Sequence, residues 1–201
     1  SGNQYQDVII NRVDPQPVNV TTDKDGNYIA WYNLLRSSSV QVKVIGSGKV
    51  HIGSKKNQIP VLSDEEKKDY TKADKYWEKD NPLIKARISE IYKTGMPSTT
   101  AEKAWLIYRN VVDSLSYDLN RLNNNGERLG AVTVLNNPSS AVCLEFTDLF
   151  IALARAAGIP AREVDGFGYS LNQNLRPSSL VKQSLHALPQ YYDDQKGWVM
   201  V

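Results

Sequence analysis

The chain has 201 residues, enough for one large domain or two small ones. Hydrophobic residues make up 41% and charged residues 23%, and the net charge of +2 is too small to indicate binding to nucleic acid or to an anionic membrane. No apolar run reaches the roughly 18 to 20 residues that span a bilayer, and the N-terminus lacks the pattern of a signal peptide. The single cysteine excludes an internal disulfide and any multi-thiolate metal site.

The first 62 residues predict a small antiparallel β domain. Segments rich in Val, Ile, Tyr and Trp occur at residues 7–13, 18–22, 28–34 and 40–45, with turn residues between them. In the last segment, Val40, Val42 and Val44 alternate with polar residues, which predicts one buried face. The sequence Asp25-Gly26-Asn27 predicts a hairpin turn. His51, in the same region, is interpreted as a surface histidine.

From about Ser63 the hydrophobic period changes from two to 3.6, which predicts a second domain over residues 63–201. Ser63 and Glu66 match a capping box, and the helix that they open is predicted to end near Lys79. A second helix is predicted from Asn81-Pro82, and a third follows a capping box formed by Thr99 and Glu102. The core face of the third helix is predicted to comprise Ala101, Ala104, Trp105, Tyr108, Val111, Val112 and Leu115.

The only cysteine lies at the start of the best-marked helix, within residues 138–162. Pro138-Ser139-Ser140 offers an N-cap, the apolar residues that follow recur at helical spacing, and Gly158 with Pro160 supplies the stop. Cys143 is therefore predicted in the first helical turn. Unpaired backbone N–H groups and the helix dipole lower a thiol's pKa there and favour the nucleophilic thiolate. A buried core thiol is the alternative, because free cysteine is among the most buried residue types.

After this helix the pattern returns to strands, predicted at residues 163–169 and 184–192, with a polar loop at 172–182 and a third strand from Trp198. His186 lies in the second of these strands, where a base could meet the thiol across a helix-on-sheet packing. A five-residue turn would pair Tyr192 with Trp198. Leu188 would then face the position after Val201, from which a carboxylate could orient the imidazole of His186.

Three segments resemble the transglutaminase-like superfamily, a branch of the papain-like thiol enzymes: residues 141–162, Leu185-His186-Ala187 and residues 197–201. The family pattern runs from a helix-opening Cys through an apolar helix into Gly-Ile-Pro-Ala-Arg, here residues 158–162, then to His-Ala-Trp on a strand and to Gly-Trp-Val. Leu188 replaces the Trp. The resemblance covers roughly residues 63–201, including Tyr117-Asp118 before the cysteine. It implies an α+β, papain-like core preceded by the small β domain.

The resemblance implies that Cys143 is the nucleophile and His186 the general base of acyl transfer through a thioester on protein or peptide amides. The family's Asp follows Gly-Trp-Val, so it is expected just after Val201, with the domain truncated there. Protein crosslinking, peptide hydrolysis and amide hydrolysis on a cell-wall peptide all fit this pair. A non-catalytic module in cell-surface binding or assembly is the alternative.

The same resemblance implies a protein or peptide substrate. No cofactor and no metal are expected, and the small net charge gives no reason to expect nucleic acid. No membrane segment is expected within this chain, and an extracellular or cell-surface location is expected for the protein.

Overall fold

The computed structural model describes residues 3–51, 55, 59–123, 127–167 and 185–201. The chain divides into two compact units, Ser1–Pro60 and Val61–Val201. Within the described ranges, no helix is both long and apolar enough to cross a membrane.

The first unit contains two antiparallel ribbons of two strands each. In one ribbon, β1 (Gln6–Asp14) pairs with β4 (Lys43–Val50). In the other, β2 (Asn19–Thr22) pairs with β3 (Tyr28–Trp31). The predicted hairpin turn is confirmed, because Thr22 pairs with Tyr28 and Gly26 between them has a φ of 83°. That left-handed conformation favours glycine.

Two predictions for this unit are wrong. The fourth strand begins at Lys43, after Val40 and Val42, and all of its residues are exposed. The apolar face of an alternating strand is buried only where another layer of structure covers it. In the described part of this unit, only Gln4 is buried. His51, predicted as a surface histidine, is partly buried: its side chain is 23% exposed, and its Nε2 lies 2.8 Å from Asp7 Oδ2.

Six helices are described in the second unit: α1 (Asp64–Asp69), α2 (Pro82–Ile91), α3 (Thr100–Ser114), α4 (Leu119–Asn123), α5 (Ala131–Asn136) and α6 (Cys143–Ala156). Both predicted capping boxes are confirmed, and the Asn81 side chain caps α2. The helix α1 ends ten residues before its predicted end, because the Thr71 hydroxyl donates to the carbonyls of Lys67 and Lys68 in its last turn. The short helices α4 and α5 were not predicted.

The core of the second unit is built around α6. This helix is buried on nearly all sides, since α2, α3, α5 and two strands of the sheet pack against it. On α3, Trp105 and Val112 are 56% and 44% exposed, so their predicted place in the core is wrong. Ile107 is fully buried, because the inner face of α3 follows the spacing of residues 104, 107, 111 and 115.

A three-stranded antiparallel sheet completes the second unit, in the order β5 (Ala161–Phe167), β6 (Leu185–Asp193), β7 (Gly197–Met200). The predicted pairing of Tyr192 with Trp198 is confirmed. Gly158, with a φ of 76°, turns the chain from α6 into β5. The architecture is α+β, as predicted, while the predicted loop at 172–182 lies outside the described residues.

Candidate active site

Cys143 is the first residue of α6, which confirms its predicted place in the first helical turn. Its thiol is neither fully buried nor fully exposed. The predicted serine cap is wrong, because the N-cap position is Val142. The Glu145 carboxylate instead accepts the backbone N–H of Val142, with Oε2 3.0 Å from the nitrogen. The end of the helix is therefore fixed by a side chain from inside the helix, and that carboxylate places a negative charge in the turn that presents the thiol.

His186 is the second residue of β6, where it pairs with Gly166 of β5. Arg155, near the end of α6, donates to the Ala161 carbonyl at the start of β5, and Arg128 joins Asp148 to Glu163 further along both elements. The strand β5 therefore runs back towards the Cys143 end of the helix. The imidazole is exposed. Strand alternation puts it on the face of Leu188, opposite to the face of Tyr191, which packs in the α6 core. Between these two described residues no hydrogen bond is formed, so the Cys143–His186 pair stays a prediction.

Tyr117 lies beside the thiol, which sequence reasoning did not assign. The backbone N–H of Asp118 donates to the carbonyl of Ala141 over 2.7 Å, and Tyr117 forms a parallel bridge with Ala141. Its ring stacks on Phe146 with centroids 6.1 Å apart. Burial raises the pKa of Tyr117, the charge and thiol of Cys143 raise it further, and the Cys143 backbone lowers it. The phenol is therefore close enough to interact with Cys143 or with a group bound there.

Two neighbouring networks hold the start of α6, and the first is centred on Glu145, which is fully buried. Besides the Val142 amide, its carboxylate accepts the N–H of Leu129 over 2.9 Å. Arg121 forms an ion pair with it, with Nη1 3.1 Å from Oε2. Arg121 also donates to the carbonyls of Ser140 and Glu127. Glu145 therefore connects α6 to the segments that precede it.

The second network is centred on Arg128. Its Nε donates to Asp148 Oδ2 of α6 over 2.9 Å, and its Nη1 donates to Glu163 Oε1 of β5 over 3.2 Å. Trp77 Nε1 also donates to Asp148 over 2.8 Å. Burial raises the pKa of Asp148 and of Glu163, and Arg128 partly counters that rise. This network joins α6, the helix that begins with Cys143, to β5.

Neither network was predicted from the sequence. The sequence showed Glu145 and Asp148 as polar positions of an apolar helix, but it gave no partner for them. Their partners, Arg121 and Arg128, lie in parts of the chain for which the sequence predicted no element. Metal binding is a separate matter: in the described ranges, no group of three or more His, Cys, Asp or Glu side chains could hold a metal ion.

Comparison with known proteins adds two findings. The sequence profile of the transglutaminase-like superfamily matches residues 86–201, more than half of the chain. Among solved structures, a putative cysteine protease from Cytophaga hutchinsonii is similar with a TM-score of 0.60 and 16% identity, over 99% of this chain and 66% of that chain. The periplasmic domain of TgpA from Pseudomonas aeruginosa gives a TM-score of 0.57 and 16% identity, over 100% of this chain and 65% of that chain.

At these identities the structural similarity shows the fold alone. The chain spans 66% and 65% of the lengths of the two solved structures. No curated protein matches the chain.

Proposed function

Because the chain belongs to the transglutaminase-like superfamily, we propose that it transfers or hydrolyses acyl groups of protein or peptide amides through a thioester on Cys143. The observation that carries the proposal is the position of the only cysteine, at the first residue of a buried helix and accessible in part to solvent. A thiol at a helix N-terminus has a local field that favours the thiolate, which is the nucleophilic form.

The proposed reaction begins with attack of the Cys143 thiolate on an amide carbonyl carbon. The carbonyl oxygen becomes an oxyanion, and the proposed donors to it are the backbone N–H of Cys143 and the hydroxyl of Tyr117, which lies beside the thiol. His186, as imidazolium, donates its proton to the departing amine while the C–N bond breaks and the thioester remains. Water or a second amine, deprotonated by His186, then attacks the thioester and releases the thiol.

His186 is the proposed base because it lies on the sheet that packs against α6. The imidazole is on the other face of β6 from Tyr191, so the proposal requires the start of β6 to turn for the two groups to meet. A carboxylate that orients His186 remains a prediction from the family resemblance.

We also propose a compartment outside the cytoplasm. One structural neighbour is a periplasmic domain, and the chain has the same fold. Protein or peptide amides are the substrate class that fits a thiol enzyme of this superfamily. Whether the acyl acceptor is an amine or water is left to the experiment.

The experiment compares Cys143→Ser, His186→Ala and the wild-type chain with a glutamine-containing peptide as acyl donor and a fluorescent primary amine as acceptor. Mass spectrometry of the intact protein detects the acyl-enzyme, and chromatography separates the crosslinked from the hydrolysed product. His51→Ala is the matched control, because His51 is the other histidine of the chain and lies in the first unit.

The expected result is an acyl-enzyme in the wild type, none in Cys143→Ser, and turnover lowered by about 10²–10⁴-fold in His186→Ala. His51→Ala should behave as the wild type does. A Cys143 thiol that is alkylated only after unfolding would contradict the proposal and favour the non-catalytic module. Equal turnover in His186→Ala and His51→Ala would remove His186 from the mechanism.

A further inference from the structure

We propose that Glu145 and Arg121 are positioning residues, which act on the Cys143 thiolate through the first turn of α6. This inference rests on the proposed function, because it assigns a role to residues around the same thiol. Neither side chain is placed to react with a substrate itself. Both lie where they can set the direction and the charge of the turn that presents the thiol.

The direction is set by the contacts of the Glu145 carboxylate. It accepts the Val142 N–H over 3.0 Å and the Leu129 N–H over 2.9 Å, so it holds the residue immediately before Cys143. The Val142 carbonyl, which shares its peptide plane with the Cys143 N–H, accepts from the Phe146 N–H over 3.2 Å, so hydrogen bonds on both sides of Val142 orient the Cys143 peptide. The Cys143 N–H, which would hold the oxyanion, is then oriented before substrate arrives.

The pairing of Glu145 with Arg121 sets the net charge close to the Cys143 thiolate. A buried carboxylate in the same turn as the cysteine disfavours a second negative charge on sulfur. Arg121 offsets it, with Nη1 3.1 Å from Oε2 and Nη2 3.3 Å from Oε1. Among the described residues, the other ionisable or charged groups near this pair include Asp118, whose carboxylate accepts the Arg121 backbone N–H over 3.2 Å. Tyr117, Cys143 and Asp148 also lie nearby, and Asp148 is itself paired with Arg128.

Arg121 also closes the segment that leads into the helix. It donates to the Ser140 carbonyl and, over 2.6 Å, to the Glu127 carbonyl. The Arg121 side chain is 18% exposed, whereas that of Glu145 is fully buried. Buried charge pairs of this kind leave a costly unpaired charge when one partner is removed. The two residues therefore have opposite electrostatic effects on the thiolate and a shared structural effect on the turn.

The test uses this difference in sign. We would measure the rate of Cys143 alkylation by iodoacetamide against pH in the native chain, for Arg121→Gln, Glu145→Gln, the double variant and Arg121→Lys. The matched control is Arg109→Gln, which removes an arginine from the exposed Arg109–Asp113 pair on α3. The melting temperature of each variant reports the structural effect separately.

The midpoint of alkylation should move up by about half to one pH unit in Arg121→Gln and down by a similar amount in Glu145→Gln. The alkylation midpoints of the double variant and of Arg121→Lys should lie close to that of the wild type, although the melting temperatures of both variants fall. Arg109→Gln should leave the midpoint unchanged. Opposite shifts in the two single variants are the signature of the proposed role.

Shifts of the same sign in both variants, or no shift in either, would overturn the proposal, because loss of structure alone moves both towards an ordinary exposed thiol. If Arg121→Gln fails to fold, Glu145→Gln decides alone, and an upward or absent shift overturns the proposal. Alkylation needs no acyl substrate. If the wild type forms no acyl-enzyme but the two single variants shift the alkylation midpoint in opposite directions, the proposed function is rejected and the positioning role of Glu145 and Arg121 is retained.

Discussion

The two compact units bury their apolar residues very differently. The buried hydrophobic residues of the described chain all lie from Leu62 onwards. In the first unit Ile9, Val20 and Trp31 are 63%, 51% and 53% exposed, and only Gln4 is buried among the residues described there. Isolated two-stranded ribbons are marginally stable, whereas a helix covered on most sides supplies a full core. Stability is therefore concentrated around α6, the helix that presents Cys143.

The charged residues of the two units differ in the same way. In the first unit, Asp7 pairs with His51 and Lys55, and its side chain is 48% exposed. In the second unit, Glu145 and Asp148 are fully buried and each pairs with an arginine. Solvent screens the first kind of pair and leaves the second almost unscreened. The same chemical change should therefore have a large effect near α6 and a small effect in the ribbons.

The largest expected difference between the two units is in the loss of stability when a leucine is replaced by alanine in each. Leu149→Ala, in α6, removes a fully buried side chain and should lower the free energy of unfolding by about 2–5 kcal/mol. Leu35→Ala removes a side chain that is 83% exposed and should change it by less than about 0.5 kcal/mol. Urea denaturation followed by circular dichroism measures both. Equal losses would show that the first unit has a core that the described residues do not reveal.

The second prediction concerns the pair between Arg128 and Asp148. Arg128→Met should lower the free energy of unfolding by about 2–4 kcal/mol at pH 7, less than for a fully buried pair, because Arg128 is 19% exposed. Burial raises the pKa of Asp148 and Glu163, and loss of Arg128 raises both further. When the pKa of a carboxyl is higher in the folded state than in the unfolded state, the folded protein becomes less stable as pH rises. The Arg128→Met variant should therefore recover part of the lost unfolding free energy at pH 5.

Urea midpoints at pH 5 and pH 7 measure this recovery. Arg109→Met, which removes an arginine from an exposed pair, is the control and should show no recovery beyond that of the wild type. A loss in Arg128→Met that is equal at both pH values would mean that Asp148 and Glu163 are not left as buried charges.

The sequence predicted the parts of the fold that depend on local chemistry. The capping boxes at Ser63 and Thr99, the turn at Gly26 and the Tyr192–Trp198 register are set by neighbouring residues, and all are confirmed. Cys143 was also placed correctly in the first helical turn, although the serine cap that was used to place it is wrong. The buried face predicted for β4 was wrong. Alternation of apolar and polar residues indicates which face of a strand could be buried, but it does not indicate whether another layer covers that face.

The support of the candidate site could not be predicted in this way. Glu145 joins Arg121 and the Leu129 amide, and Arg128 joins Asp148 to Glu163, across separations that no local pattern encodes. Buried polar positions on an apolar helix signal that partners exist, since an unpaired buried charge is too costly. The identity of the partners depends on how α4, α5 and residues 127–130 fold near α6.

The smallest expected effect tests the surface pairs of the first unit. Lys55 and His51 lower the pKa of Asp7 from 3.8 to about 2 by hydrogen bonding. An acid whose pKa is lower in the folded state stabilises it above the unfolded pKa, and this contribution is lost as pH falls through the folded pKa. Protection of the β1 and β4 amides against hydrogen exchange should therefore fall by about two- to five-fold between pH 4 and pH 2.

Asp7→Asn should start with lower protection at pH 4 and show no further fall towards pH 2, because its amide does not titrate. Asp25→Asn, in the turn between β2 and β3, should keep the wild-type fall and serves as the matched control. Amide exchange measured by NMR resolves the ribbon formed by β1 and β4 from the rest of the chain. A fall in Asp7→Asn equal to that of the wild type would mean that the ribbon loses protection through other carboxylates, and the Asp7 cluster would then contribute nothing to its stability.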